Sequence, residues 1–282
     1  MERRKGRIPS MSGMVAASMA ALAVSAFDPS GAARAQSLDG LTEVDVELVL
    51  AVDVSLSMDV REQRLQREGY VRALADPDVH RAIERGLLGR VAITYIEWAG
   101  TSQQRTILDW SLVENADDAL ELSAALAEAP LARIRRTSIS AAIDFAAAAI
   151  ETNAYHGLRR VIDVSGDGAN NQGEYVTTAR DRALQQGIII NGLPFVPDPE
   201  GNLGLFDLPE LDVYYEDCVI GGPGAFSLPV RDPESFAEAI RTKLILEISG
   251  VPPVRLELTN LAGEPRIPCD IGERQWDMFM GR

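Results

Sequence analysis

Histidine and cysteine are scarce in this chain of 282 residues, with two of each. His80 stands in a polar helical stretch and His156 in a Tyr-His-Gly turn, and both read as surface histidines rather than bases. There is no C-x-x-C pair and no Gly-rich phosphate loop of the P-loop type. There is no nucleophile elbow either, because in "DVSGDG" Asp163 takes the place of the first glycine. "GGPG" at 221–224 reads as a turn. Basic charge is also short: 27 Lys and Arg stand against 42 Asp and Glu, a net charge of −15. That excludes the usual binders of nucleic acid and of anionic membranes, which need a basic face.

Long apolar runs are missing beyond the first 35 residues. In that segment Arg3, Arg4, Lys5 and Arg7 precede an apolar stretch over 14–27, and Ala33-Arg34-Ala35 has the A-x-A form of a signal cleavage site. The stretch falls short of the roughly 20 residues a membrane span requires. Residues 1–35 are therefore expected to be a signal peptide, with an uncleaved anchor as the alternative. The arginine pair lacks the full twin-arginine pattern, which leaves the export route open. Cleavage would leave 36–282, which is 247 residues, and would take the net charge from −15 to −18 by removing five basic and two acidic residues. Such a chain suits one decorated α/β domain, exported to the periplasm or secreted, without a membrane span. In an oxidising compartment Cys218 and Cys269 are expected to pair, the alternative being two buried thiols.

Strand and helix patterns alternate. Strands are expected at 46–52, 91–96, 160–164 and 188–196, with a short edge strand at 105–110. Helices are expected at 59–74, 115–127, after Thr137, at 173–186, and from Asp232-Pro233 with Phe236, Ile240, Leu244 and Ile248 as the apolar stripe. Alternation of this kind predicts an α/β fold with a mainly parallel sheet and helices on both faces. Residues 197–223 read as an insertion and 251–282 as an irregular tail; a Cys218–Cys269 bridge would staple one to the other.

"VLAVDVSLSMDV" runs from a buried strand into Asp53, Ser55 and Ser57. Asp167, in "VSGDGANNQG", follows another strand, and Thr137 opens a helix. Parallel α/β sheets bind ligands at the carboxyl ends of their strands. Two carboxylates and three hydroxyls gathered there form an oxygen set suited to Mg²⁺. Taken singly, the hydroxyls and Asp59 read equally well as helix caps, and Asp167 as a turn residue.

"DVSLS" resembles the D-x-S-x-S motif of von Willebrand factor A-like (vWA) domains, and Thr137 and Asp167-Gly168 follow in that family's order. The resemblance spans about 44–249. It implies a Rossmann-like vWA fold with one antiparallel edge strand, and a metal-ion-dependent adhesion site. Asp53, Ser55, Ser57, Thr137 and Asp167 would hold Mg²⁺ or Mn²⁺ there, and an acidic residue of a protein partner would complete the coordination. "YYEDCVIGGPGAF" and the helix after it resemble an uncharacterised family of exported bacterial vWA-like proteins. Arg135-Arg136 depart from the family, which often has a small residue before the threonine; they would either oppose a cation or help hold the acidic partner. Two other functions are considered: a metal-assisted hydrolase with Asp163 or Glu97 as base, and a structural envelope protein with a vestigial site. Asp163 inside a strand has no account in the sequence.

Overall fold

The computed structural model describes residues 40–58, 60–197, 200, 204, 206–251 and 265–281. The expected signal segment, the cap role of Asp59 and most of the first half of the tail lie outside the described residues.

The apolar run before Asp53 becomes β1 (Thr42–Asp53), buried from Val44 onward. It pairs in parallel with β2 (Val91–Trp98) on one side and with β4 (Tyr155–Gly166) on the other. β3 (Gln104–Val113) runs antiparallel to β2, and β5 (Ile189–Pro194) parallel to β4. The order is therefore β3-β2-β1-β4-β5. β1 is central and covered on both faces, which is why it shows no polar alternation. The mainly parallel sheet with one antiparallel edge strand matches the expectation from the sequence.

On one face, Val49, Ala51, Ile162 and Val164 pack with α4 (Ile139–Glu151) and α5 (Val176–Gln185). On the other, Leu48, Leu50, Val52 and Val161 pack with α1 (Val60–Leu74), α2 (Pro77–Glu84), α3 (Ala116–Glu128) and α7 (Phe236–Ser249). The expected α7 stripe of Phe236, Ile240, Leu244 and Ile248 is buried.

Several segments differ from the expectation. Asp76-Pro77 does not only end α1; Asp76 caps α2, accepting from Asp78 N at 2.7 Å, with Pro77 in the first turn. His80 is buried, its Nε2 2.8 Å from the Leu74 carbonyl oxygen, rather than on the surface. Asp232 and Pro233 lead into a 3-10 turn (Pro233–Ser235), and α7 starts only at Phe236. The 197–223 stretch contains α6 (Leu211–Tyr214), continued as a π turn (Tyr215–Val219). After it the chain bridges to β5, with Ile190 and Gly221 exchanging backbone hydrogen bonds of 2.9 and 3.0 Å. That shields what would be an open sheet edge. "GGPG" is a turn, with Ala225 N donating to Gly222 O at 3.2 Å. The tail is not wholly irregular: Ile271–Phe279 forms α8. Cys218 and Cys269 are bridged, with Cα atoms 5.5 Å apart, and Arg266 reinforces the junction through Asp217.

Asp163 also finds its explanation. Its side chain points into the second core, where Lys243 Nζ of α7 lies 2.6 Å from its Oδ1, and Lys243 pairs in turn with Glu247.

Candidate metal centre

β1 and β4 are neighbours whose onward connections diverge to opposite sides of the sheet, so a crevice opens at their carboxyl ends. Asp53 is the last residue of β1. It shares the parity of Val49 and Ala51, and it is 0% exposed. Its Oδ1 accepts from Ser55 N at 2.7 Å, an Asx-type turn that folds the chain back at once. Ser55 Oγ lies 2.7 Å from Ser57 Oγ, and Ser57 Oγ donates to Asp167 Oδ1 at 2.7 Å. Residues 110 positions apart thus join in one hydrogen-bonded string. Ile134 N donates to Val54 O at 2.9 Å, which brings the segment before Thr137 alongside.

Thr137 is available to this cluster because it is not a cap. Ser138 caps α4, accepting from Ala141 N at 3.3 Å. Thr137 is clamped from both ends instead: its N donates to Asn171 Oδ1 at 3.1 Å, and Asn171 N donates to its carbonyl at 2.9 Å. Ser55, Ser57, Thr137 and Asp167 line one cavity of about 600 Å³, with Asp53 beneath it. All five predicted residues are therefore brought together. Arg135 and Arg136 line the same cavity, Arg135 exposed and Arg136 half-buried. Arg136 adopts φ +79° and lays its guanidinium 3.2 Å from the centroid of the Trp276 ring. The guanidinium is thereby engaged with α8 rather than with the aspartates.

The two carboxylates considered as bases are committed elsewhere. Glu97 is buried against Arg67 and Arg105, and Asp163 faces Lys243. His156 opens β4 opposite Glu43, at the far end of the strand from the crevice.

Two further residues matter that the sequence did not single out. Asn170, fully buried, accepts from Ser140 N at 3.0 Å and donates to the Glu174 carbonyl at 3.0 Å and to Glu273 Oε1 of α8 at 2.7 Å. It fixes the Asp167 loop to α4 and α8, and the paired asparagines of "GANNQG" were the available signal. Tyr215, in the π turn, brings its hydroxyl beside Gly166 and Asp53. It lies in "YYEDCVIGGPGAF", but nothing in that stretch marks it as a neighbour of Asp53.

The oxygens fit a cation. Burial, and then the charge of Asp167, push the Asp53 carboxyl well above the usual carboxylate range. Burial pushes Asp167 up to about 7, against the lowering effect of the Ser57 hydroxyl. Asp53 Oδ2 is buried and has no hydrogen-bond partner. A buried acid with an unsatisfied oxygen, set close to a second, half-buried acid, is costly unless positive charge compensates it. The donor set is all oxygen, which selects hard cations. Among the described residues no group of three or more His, Cys, Asp and Glu suited to a metal forms, here or elsewhere; this site offers two carboxylates with neutral oxygens.

Gly166 keeps that oxygen clear. A Cβ there would lie 2.9 Å from Asp53 Oδ2 and 3.1 Å from the Tyr215 hydroxyl. Gly166→Ala is expected to lower the unfolding free energy by about 1–3 kcal/mol through overpacking. Urea unfolding checks this, and an unchanged midpoint would mean the Asp53 side chain can simply move aside.

No curated protein matches the chain in sequence. Among solved structures it is similar to the pilus adhesin SpaC of Lactobacillus rhamnosus GG (TM-score 0.55, 13% identity, covering 73% of this chain and 31% of that one). It is similar to proximal thread matrix protein 1 of the mussel byssus with a zinc-occupied MIDAS motif (TM-score 0.50, 12% identity, 75% of this chain and 47% of that one). It is similar as well to a von Willebrand factor type A protein of Catenulispora acidiphila (TM-score 0.49, 15% identity, 73% and 43%). The chain spans less than half the length of each, and at these identities the likeness is one of fold. With its sheet order and crevice it is a vWA-type fold. Residues 43–252 match the family described as protein of unknown function DUF1194, and the chain belongs to that family.

Proposed function

We propose that this protein is an exported binding module whose oxygen cluster holds Mg²⁺ (or Mn²⁺) and captures a carboxylate of a protein partner. The observation that carries the reading is Asp53 Oδ2, a buried carboxylate oxygen without a hydrogen-bond partner, close to a second, half-buried aspartate, Asp167. Asp53 and Asp167 supply the charge, and Ser55, Ser57 and Thr137 supply neutral oxygens that leave the charge incompletely cancelled. An ion bound there retains positive charge and draws an acidic side chain. Arg135 and Arg136 add cationic charge at the rim of a chain whose net charge is −15. Screening confines the repulsion of an acidic partner to about 8 Å at physiological salt, so local charge governs docking. The occupied MIDAS motif of the mussel byssus protein is in keeping with a metal in this fold. The Cys218–Cys269 bridge fits an oxidising compartment, in line with export.

The test is the thermal midpoint of 36–282 against Mg²⁺ and Mn²⁺. A ligand confined to the folded form, at a hundredfold excess over Kd, stabilises by about 2.7 kcal/mol. A midpoint that rises with metal, and does so no longer in Asp167→Ala, is the expected result. A midpoint indifferent to millimolar metal would reject the reading.

A further inference from the structure

We propose that the acidic side chain captured here is presented next to a large apolar side chain, aromatic above all, in the same exposed segment of the protein partner; this rests on the carboxylate-capture reading. The cavity has two unlike sides. Ser57, Thr137 and Asp167 form a polar floor, and Phe206, Trp276 and Phe279 form an apolar wall. The wall is one cluster of rings: Phe206 stacks on Trp276 at 5.4 Å between centroids, and Phe279 meets both at 5.5 and 5.4 Å. A ligand whose carboxylate reaches the floor places its neighbouring groups against these rings.

The wall is anchored to the floor. A Cβ at Gly272 would overlap the Asn170 carbonyl oxygen, so α8 packs directly on the Asp167 loop. Glu273 bonds Asn170, and Arg136 lies over Trp276. The Arg136 backbone is held in the left-handed region, at a cost of order 1 kcal/mol for a non-glycine residue. That conformation joins the residue beside Thr137 to the aromatic wall.

A protein partner, rather than a small carboxylate, follows from the rim. Phe279 is 55% exposed and Leu56 41%, both lining the cavity and reaching past it. Apolar surface continuing beyond a pocket marks a site covered by a larger partner. The two arginines complement the acid the partner brings, and the exposed Phe279 ring offers an aromatic anchor a surface to pack against.

The probes are acetyl-Gly-Phe-Asp-Phe-Gly-amide, acetyl-Gly-Gly-Asp-Gly-Gly-amide and 3-phenylpropanoate, titrated against 36–282 by ligand-observed NMR in Mg²⁺ and in EDTA. Mg²⁺ binding is measured separately by calorimetry. The phenylalanine peptide is expected to bind about tenfold tighter than the glycine peptide, in Mg²⁺ only. In Trp276→Ala and in Phe279→Ala the advantage should shrink to about threefold or less, with Mg²⁺ affinity unchanged. Equal affinities of the two peptides overturn the inference and leave carboxylate capture standing. Binding of 3-phenylpropanoate as tight as the aromatic peptide overturns the protein partner. Failure of both peptides on a protein that still binds Mg²⁺ overturns the inference and the capture reading together, whereas absence of Mg²⁺ binding removes the metal itself.

Discussion

Lys243→Met is expected to lower the unfolding free energy by about 3–5 kcal/mol near pH 7.5 and by clearly less at pH 5. Lys243 is 0% exposed, with Nζ 2.6 Å from Asp163 and paired with Glu247. Asn191 donates to Glu247 Oε1 at 3.0 Å, and the Phe226 ring centroid lies 5.4 Å from Nζ. Methionine matches the shape of the lysine stem but removes the ammonium between Asp163 and Glu247, so two buried carboxylates would face each other without it.

The pH dependence has a definite sign. Burial, with Asp163 nearby, raises Glu247 from an ordinary 4.5 up to about 7, and burial raises Asp163 as well. In both, the ammonium of Lys243 pulls the other way. An acid with a raised folded pKa holds a proton that the unfolded chain gives up. Stability is therefore greatest below the unfolded value and declines as pH rises from about 4.5 to about 7. Without Lys243 both acids shift further and the decline steepens. Glu247→Gln should instead flatten it. Urea unfolding at pH 5 and 7.5 reads both variants. A Lys243→Met loss equal at the two pH values would assign the effect to packing rather than charge.

This triad shows where sequence reading stops. The α7 stripe was legible because Phe236, Ile240, Leu244 and Ile248 repeat at helical spacing. Lys243 and Glu247 fall on the same helical face as that stripe, but their charge argues against burial when the sequence is read alone. They are buried because α7 packs against the sheet, α1 and α2 together, with the 221–230 segment beside β5 closing over it. The oxygen cluster was legible for a different reason: strand ends carry ligands in parallel sheets, and polar residues after apolar runs are visible along the chain. Asn170 and Tyr215 were not legible as parts of the site. Their roles depend on which distant segments arrive, namely α8 and the π turn. α2 was missed through a physical ambiguity, because proline after aspartate both stops one helix and starts the next.

Replacing Cys218 and Cys269 together by serine is expected to cost about 2–4 kcal/mol and to detach α8 from the oxygen cluster. The bridge spans 51 residues, and the chain-entropy account assigns a loop of that length roughly 4 kcal/mol. α8 has little else to hold it. Gly272 is its only fully buried residue among those described, Ile271 is half-buried against the core, and the further anchors are the Glu273–Asn170 and Arg136–Trp276 contacts and the Phe206 ring against Trp276 and Phe279. Each is worth about 1 kcal/mol, less than the ordering of a nine-residue helix opposes. The oxygen cluster needs none of this, because Asp53, Ser55, Ser57, Thr137 and Asp167 are placed by β1, β4 and the start of α4. The double variant should thus lose hydrogen-exchange protection over 271–279 while its β1 and β4 amides stay protected, and metal-dependent stabilisation should survive. Preference for an aromatic neighbour should disappear with the wall. Protection of α8 unchanged in the variant would mean that Asn170, Arg136 and Phe206 suffice to dock it, and the bridge would then matter only for the unfolded chain.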